Sequence, residues 1–544
     1  MKKNSLFSIL LSFFVLTLLF TFSVSADEVL SGTCGANVKY VLDDEGTLAI
    51  SGSGDMASPM SYAHVPWHNE CEAIKNVVIS DGVTSISDYA FLNCISLTSV
   101  TIPSSVTKIG HSSFYNCKNL ESISLPKDIA VIGNWSFAYC TALTRITIPD
   151  GLTNIGNHAF YHCTGITRIS VGSNNEYYTN DARGALFDKS KTTLIQYPTG
   201  NTTVSYAVPS TVTHIDNYAF AHNVFLKRLS IPDSVKNISG NAFYNTAYYK
   251  NADNWDNDVL YIGNHLIASK PTLSGDYTVK DGTVTIAGNA FSNCYSLEAV
   301  TIPAGVVSIY PSALSGCTEI TVDDENQYYS SDNSGVLFNK DKTTLIKYPS
   351  KKASDSYIIP STVQNIGNYA FSGCSNLKNV SFALNSSLKR IGDGAFFECN
   401  SLSSLTIPAG TKSIGGYAFD SCSKLKSIKI HDSVTSIGDY AFFACTNVSV
   451  SGYDGSFSGD YALELGLPFI TIEPVYGDIK GDETVDVSDV ITALQLIAAD
   501  DFSALTKSQK AAADVTNDGA IDVSDAIRIL QYIANPNISL TPNA

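Results

Sequence analysis

VTSISDYAFLNCISLTSVTIP, residues 83–103, contains the unit from which most of the chain is built. Its pattern is close to V-x-x-I-G-x-x-A-F-x-x-C-x-x-L-x-x-V-x-I-P. It returns as LTNIGNHAFYHC at 152–163 and as TKSIGGYAFDSCSKLKSIKI at 411–430. Cys94, Cys117, Cys140 and Cys163 are each 23 residues apart, and the spacing recurs between Cys294 and Cys317 and through Cys399, Cys422 and Cys445. A unit this short cannot bury its own apolar face, so neighbouring coils must stack. Within a coil, L-x-x-V-x-I, as in Leu97, Val100 and Ile102, supplies the β-branched residues of a short strand, and stacked strands form a parallel sheet along one face. Pro103, Pro149, Pro303 and Pro408 end that strand, because proline has no N–H for the ladder. The Ala-Phe pair, such as Ala90-Phe91 or Ala441-Phe442, fills the opposite side in a turn or short helix. Ile-Gly before it, as in Ile155-Gly156, turns the chain inward.

A fixed period of this length with Leu, Ile and Phe at set positions is a leucine-rich solenoid. The expected architecture is therefore mainly a β solenoid of parallel strands over residues 76–450, with an N-terminal cap at 27–75 and a C-terminal cap and short linker at 451–476. The I-G-x-x-A-F-x-x-C core resembles the BspA-like leucine-rich repeats of bacterial surface proteins. That resemblance implies a binding or adhesive role and leaves the ligand unnamed. Three stretches break the period near 174–208, 247–281 and 326–360, and they read as β-hairpin excursions. Their aromatics, Tyr177, Tyr178, Tyr328, Tyr329 and Trp255, either stack on sugar rings or cover the solenoid edge. The strand positions facing solvent are small and polar, as in Thr98, Ser99 and Thr101, then Thr144, Arg145 and Thr147, then Ser403, Ser404 and Thr406. They suit hydrogen bonding to a glycan or protein, and equally any exposed sheet.

The twelve cysteines invite a disulfide framework in an exported chain. The period argues against it for ten of them, because the same slot holds Asn223 and Thr246 in other repeats. A slot open to Asn or Thr is small, buried and weakly hydrogen-bonding, so free thiols are expected there. Cys34 and Cys71 lie outside the repeats, and a disulfide between them stays open.

A second repetition lies near the C-terminus. Residues 478–498 read DIKGDETVDVSDVITALQLIA and residues 514–534 read DVTNDGAIDVSDAIRILQYIA, starting 36 residues apart. Each is an acidic twelve-residue loop running into an apolar helix. Asp478, Asp482, Asp486 and Asp489 match Asp514, Asp518, Asp522 and Asp525 at loop positions 1, 5, 9 and 12. Ca²⁺ takes roughly six to eight oxygens, and this spacing wraps carboxylates around one ion. Position 7, Thr484 or Ala520, ligates through its carbonyl. Position 3 is Thr516 in the second loop but Lys480 in the first, and an ammonium cannot coordinate a cation. Position 6 is Gly519 in the second loop and Glu483 in the first. Two Ca²⁺ sites are expected, the first weaker.

Paired loop–helix motifs of this kind, with Asp at position 12 and no incoming helix, resemble a type I dockerin over residues 477–540. The resemblance implies a small all-α calcium-binding module that docks onto a cohesin module of a scaffoldin and so joins a cellulosome. In that family, loop positions 10 and 11 and the following helix carry recognition. Here these are Val487, Ser488, Leu494 and Gln495 in one copy, and Val523, Ser524, Leu530 and Gln531 in the other. Identical residue types imply binding in either of two orientations. The alternative for Leu494 and Leu530 is packing between the two helices.

The chain opens with Lys2 and Lys3, an apolar run from Leu6 to Phe22, and Val24-Ser25-Ala26, which reads as a signal peptide over 1–26. The mature protein is expected to be extracellular with no membrane span, attached to a cell surface or cellulosome through the docking module. Net charge is −17, and residues 477–544 hold 11 acidic and 4 basic residues. An acidic chain without a basic stripe is a poor partner for nucleic acid. No HExxH, GxSxG or phosphate loop occurs in a supporting context. The cluster His64, His68, Glu70 and Cys71, and the pair His158 and His162, are weak metal candidates. The expected function is a secreted, non-catalytic cellulosome component serving polysaccharide catabolism, its repeats a protein- or glycan-binding surface. The alternatives are a free surface adhesin with a degenerate calcium module and a glycoside-hydrolase-type subunit.

Overall fold

In the computed structural model, which describes residues 30–482 and 484–540, the coils contribute two sets of short strands rather than one. The signal peptide expected at 1–26 lies outside the described residues. The first ladder is the expected one. Arg145–Ile148 pairs parallel and in register with Arg168–Val171, and Ser404–Ile407 pairs likewise with Ser427–Ile430. The second ladder comes from the V-x-x-I segment, as where Asn365–Ile366 pairs with Arg390–Ile391 and that with Ser413–Ile414. The isoleucine before Gly thus ends a strand of its own. Repetition at a fixed interval places like residues over one another, so each coil supplies the hydrogen-bond partners of the next.

The Ala-Phe segment is a turn, not a helix. The residue before Ala is left-handed, with φ 58° at Tyr89, 56° at Tyr369 and 55° at Tyr417. Such a conformation disfavours a side-chain-bearing residue. Here the ladder holds it: Tyr89 N–H donates to His111 O at 2.8 Å and Phe91 N–H to Ser113 O at 2.7 Å. The phenylalanines then stack along the solenoid axis. Phe371, Phe396, Phe419 and Phe442 have successive centroids 4.8, 5.3 and 5.3 Å apart and planes within 8°.

The cysteine slot lies beside this stack. Cys163 Sγ donates to Phe137 O at 2.9 Å, Cys422 to Phe396 O at 3.1 Å and Cys445 to Phe419 O at 3.0 Å. Where the slot holds Asn223, its amide donates to Pro198 O and Asn201 O, and Thr246 donates to Phe243 O. The slot asks for a small donor, which explains the substitutions. All twelve cysteines are buried thiols, Cys34 and Cys71 included. Burial pushes the Cys163 and Cys317 thiols up to about 12, so they stay protonated and unreactive.

Each insertion is an antiparallel excursion whose last strand rejoins the second ladder. Tyr178–Asn180 pairs with Leu186–Asp188, which pairs with Thr193–Gln196, and that strand runs parallel to His214–Ile215. Residues 326–360 repeat the arrangement, ending on Thr344–Lys347 beside Asn365–Ile366. At 247–281 a short helix, α1 (Ala247–Lys250), precedes the hairpin. The tyrosines work at the break. Tyr178 Oη accepts the Ile155 N–H at 2.9 Å, and Tyr329 Oη accepts the Ile309 N–H at 3.0 Å, so a hydroxyl takes over where a ladder strand would have paired. Trp255 is partly buried and donates to Tyr249 O at 2.6 Å. Of the five aromatics considered for sugar stacking, only Tyr177 and Tyr328 stand well exposed.

Before the coils, Leu30–Thr33, Val38–Leu42 and Thr47–Gly52 form an antiparallel hairpin set whose last strand pairs with Asn76–Ile79. Buried Trp67 lies over Phe91 at 6.0 Å, covering the start of the aromatic stack. After the coils, α2 (Phe457–Glu464) packs Tyr461 on Phe442, and Phe469–Thr471 pairs with Ser449–Gly452. The polar strand residues named above are exposed, and several donate along the ladder, as Thr98 Oγ1 to Lys75 O and Ser99 Oγ to Asn76 Oδ1. Among the described residues no helix is long and apolar enough to cross a membrane.

Candidate docking module and calcium loops

Among the described residues, three helices follow the linker: α3 (Val487–Ala499), α4 (Lys507–Ala513) and α5 (Val523–Ala534). Both acidic loops enter their helix the same way. Asp486 and Asp522, loop position 9, are N-caps, and Asp489 and Asp525, position 12, return a carboxylate to the cap N–H at 3.0 Å. This reciprocal pairing satisfies donors that a helix start leaves open. One residue type at one spacing therefore caps the helix and lines the loop.

Each loop buries its position-12 carboxylate and leaves that of position 9 exposed. Asp525 is fully buried, and its Oδ1 accepts from Thr516 N–H and Thr516 Oγ1, both at 3.0 Å. Asp514 accepts from Asp518 N–H at 3.1 Å and Gly519 N–H at 3.0 Å, and Asp518 accepts from Ala520 N–H at 2.9 Å. Gly519 has φ 87°, the left-handed turn its position requires. In the first loop Asp489 is also fully buried and accepts from Lys480 N–H at 3.1 Å. Asp478 is buried and accepts from Gly481 and Asp482 N–H, while Thr484 donates through N–H and Oγ1 to Asp482. Burial pushes the Asp489 carboxyl above its ordinary range, against the hydrogen bonds that lower it. Hydrogen bonds from Ser488 and Ser524 hold Asp486 and Asp522 below it.

The second loop fits a hard cation by its chemistry: Asp514, Thr516, Asp518, Asp522 and Asp525 offer side-chain oxygens, Ala520 a carbonyl, and no Lys or Arg occurs between 514 and 525. The first loop does not fit as well. Lys480 Nζ lies 3.1 Å from Asp482 Oδ2 and donates to Ser488 Oγ at 3.0 Å. Among the described residues, no three His, Cys, Asp or Glu side chains converge as a ready metal cluster. That includes His64, which meets Ser61 Oγ at 2.8 Å, and His68, which packs on Tyr62.

The helix cores interlock through Val490 and Ala493 of α3 and Ala526 and Ile529 of α5, with Ile479, Ala513, Val515 and Leu540 completing the cluster. Leu494 and Leu530 are absent from it. Val487, Ile491 and Leu494 on α3, and Val523, Ile527 and Leu530 on α5, are between 42% and 53% exposed. Gln495 and Gln531 are exposed beside them. Ser524 is exposed, whereas Ser488 is partly covered. Ile491 and Ile527 belong to these stripes but were missed in the sequence. They lie one helical turn beyond Val487 and Val523, and that spacing was their signal. A cavity of about 560 Å³ opens between this module and the last coils, lined by Ser404, Thr406, Lys429, His431, Lys480 and Asp482.

Residues 67–191, 199–321 and 347–457 match the BspA type leucine rich repeat region, in six copies and over about two-thirds of the chain. Residues 476–534 match the dockerin type I domain. No curated protein matches the chain. Among solved structures, a leucine-rich repeat protein of Eubacterium ventriosum is 23% identical, covering 72% of this chain and 95% of its own, with a TM-score of 0.38. One of Bacteroides ovatus is 22% identical, covering 83% and 100%, with a TM-score of 0.28. A leucine rich cell surface protein of Faecalibacterium prausnitzii is 22% identical, covering 80% and 98%, with a TM-score of 0.25. The chain belongs to the BspA-type leucine-rich repeat family and carries a type I dockerin domain at its C-terminal end.

Proposed function

We propose that this is a secreted, non-catalytic cellulosome component. Its dockerin, with calcium bound, attaches to a cohesin module of a scaffoldin, and its repeats present a protein- or glycan-binding surface in the service of polysaccharide breakdown. Calcium supplies the charge that lets the loop carboxylates face one another, and Asp514, Thr516, Asp518, Ala520, Asp522 and Asp525 are the residues that would hold it. The observation that carries this reading is the pair of exposed apolar stripes on α3 and α5, identical in pattern and held on one shared core. Apolar side chains kept out of a core that has room for Val490 and Ile529 suit a partner surface. The test passes the full chain over a panel of immobilised cohesin modules. Retention in millimolar Ca²⁺ and release by EDTA are expected, and the double variant Leu494→Asp/Leu530→Asp should abolish retention. Failure of every cohesin to retain the native chain in calcium would leave the free-adhesin alternative standing.

A further inference from the structure

The difference between the two loops at position 3 reaches beyond the loops. Besides Asp482 and Ser488, the Lys480 ammonium donates to Asn385 Oδ1, 95 residues earlier in the solenoid. Asn385 sits on an irregular coil: Cys374 and Cys399 are 25 residues apart rather than 23. The two extra residues fall between the strand Asn379–Phe382 and the next ladder strand, Arg390–Ile391, and make the bulge that carries Asn385. Two further contacts close the same seam. Asp432 accepts from Ser508 N–H and from Ser508 Oγ, each at 2.9 Å. Its carboxylate is only 7% exposed. Burial alone would raise the Asp432 carboxyl, yet hydrogen bonds from His431, Ser508 and Thr506 pull it down to about 2. Gly481, with φ 73°, lies so close that an added Cβ would stand 2.7 Å from Ala409 Cβ and 2.8 Å from His431 Nε2.

An ammonium offers three donors and no lone pair, so it occupies carboxylate oxygen that calcium would need. We propose that Lys480 is the resident cation of the first loop: it stands in for calcium there and, with Asp432, clamps the dockerin onto the solenoid. The chain then binds one calcium ion, in the second loop. This rests on the calcium reading of that second loop, and the experiment separates the two.

Calorimetric titration of Ca²⁺ into the full chain should give one ion per native chain and two for Lys480→Asp. Two ions of affinity within about ten-fold on the native chain, or no gain in Lys480→Asp, would overturn the substitution of lysine for calcium. A second arm runs in EDTA. Limited proteolysis at residues 474–477 and small-angle scattering should show the native chain closed. Lys480→Met and Asp432→Asn should each be cut several-fold faster with unchanged circular dichroism. A native chain cut as fast as both variants would refute the clamp. A native chain that takes no calcium would refute the second-loop reading alone, and the EDTA arm would still decide the clamp.

Discussion

At His222 two neighbours fix the tautomer. Asn245 donates to Nδ1 at 2.9 Å, so Nε2 carries the proton and faces the Tyr161 hydroxyl at 3.0 Å. The His162 ring is 4.2 Å away. Burial first, then His162 and Lys250, hold the His222 pKa down to about 4 from an ordinary 6.5. The unfolded chain therefore takes up this proton before the folded one does. The stability it contributes is complete above pH 6.5 and is lost as the pH falls toward 4. Thermal melting between those values should show a falling midpoint, shallower in His222→Asn. Asn suits the position because it tolerates the left-handed φ of 65° and stands in this slot as Asn93, Asn116 and Asn245. An unchanged slope in that variant would remove His222 as the cause.

Each coil of the solenoid is held by its neighbours, so the value of a side chain depends on where its rung sits. Phe396 stacks between Phe371 and Phe419, whereas Phe442 has Phe419 on one side and the edge of Tyr461 on the other. Phe396→Ala should cost about 3–5 kcal/mol, the usual range for a buried aromatic truncation. Phe442→Ala should cost less, because the end of a one-dimensional array relaxes locally. Urea unfolding followed by hydrogen exchange checks this: loss at 396 should spread through both neighbouring coils, and loss at 442 should stay within the last coil and α2. Equal costs would argue against nearest-neighbour stacking as the source of stability.

Across the whole molecule, a leucine-rich repeat solenoid and a dockerin share one chain, and on the calcium reading proposed above they should respond differently to calcium removal. EDTA is expected to lower the melting transition of residues 477–540 and leave that of the solenoid in place, because only the native dockerin gains from a bound ion. Scanning calorimetry with and without EDTA reads this directly, and Asp525→Asn should reproduce the effect of EDTA in calcium buffer. A single transition that moves as one would show that the seam couples the two parts completely.

The sequence by itself determined whatever repeats. A fixed interval aligns like residues from coil to coil, so the solenoid, the aromatic column and the small-donor cysteine slot were legible from Phe91, Cys94 and their copies. The aspartates of the paired loops stood out because they recur at one spacing, which suits a hard cation and also supplies the capping box of each helix. What lay outside the period needed the fold. Nothing local marks the Ile109 and Ile132 segments as a second ladder, since two residues carry no periodicity. Tyr178 and Tyr329 look like exposed aromatics until the broken ladder shows which N–H each hydroxyl must accept. Leu494 and Leu530 could serve a core or a partner, and only the packing of α3 on α5 places them outside. The seam was the least legible of all. Lys480 and Asn385, like Asp432 and Ser508, are far apart in the chain, and their pairing exists only because the tertiary structure brings the dockerin back against the coils.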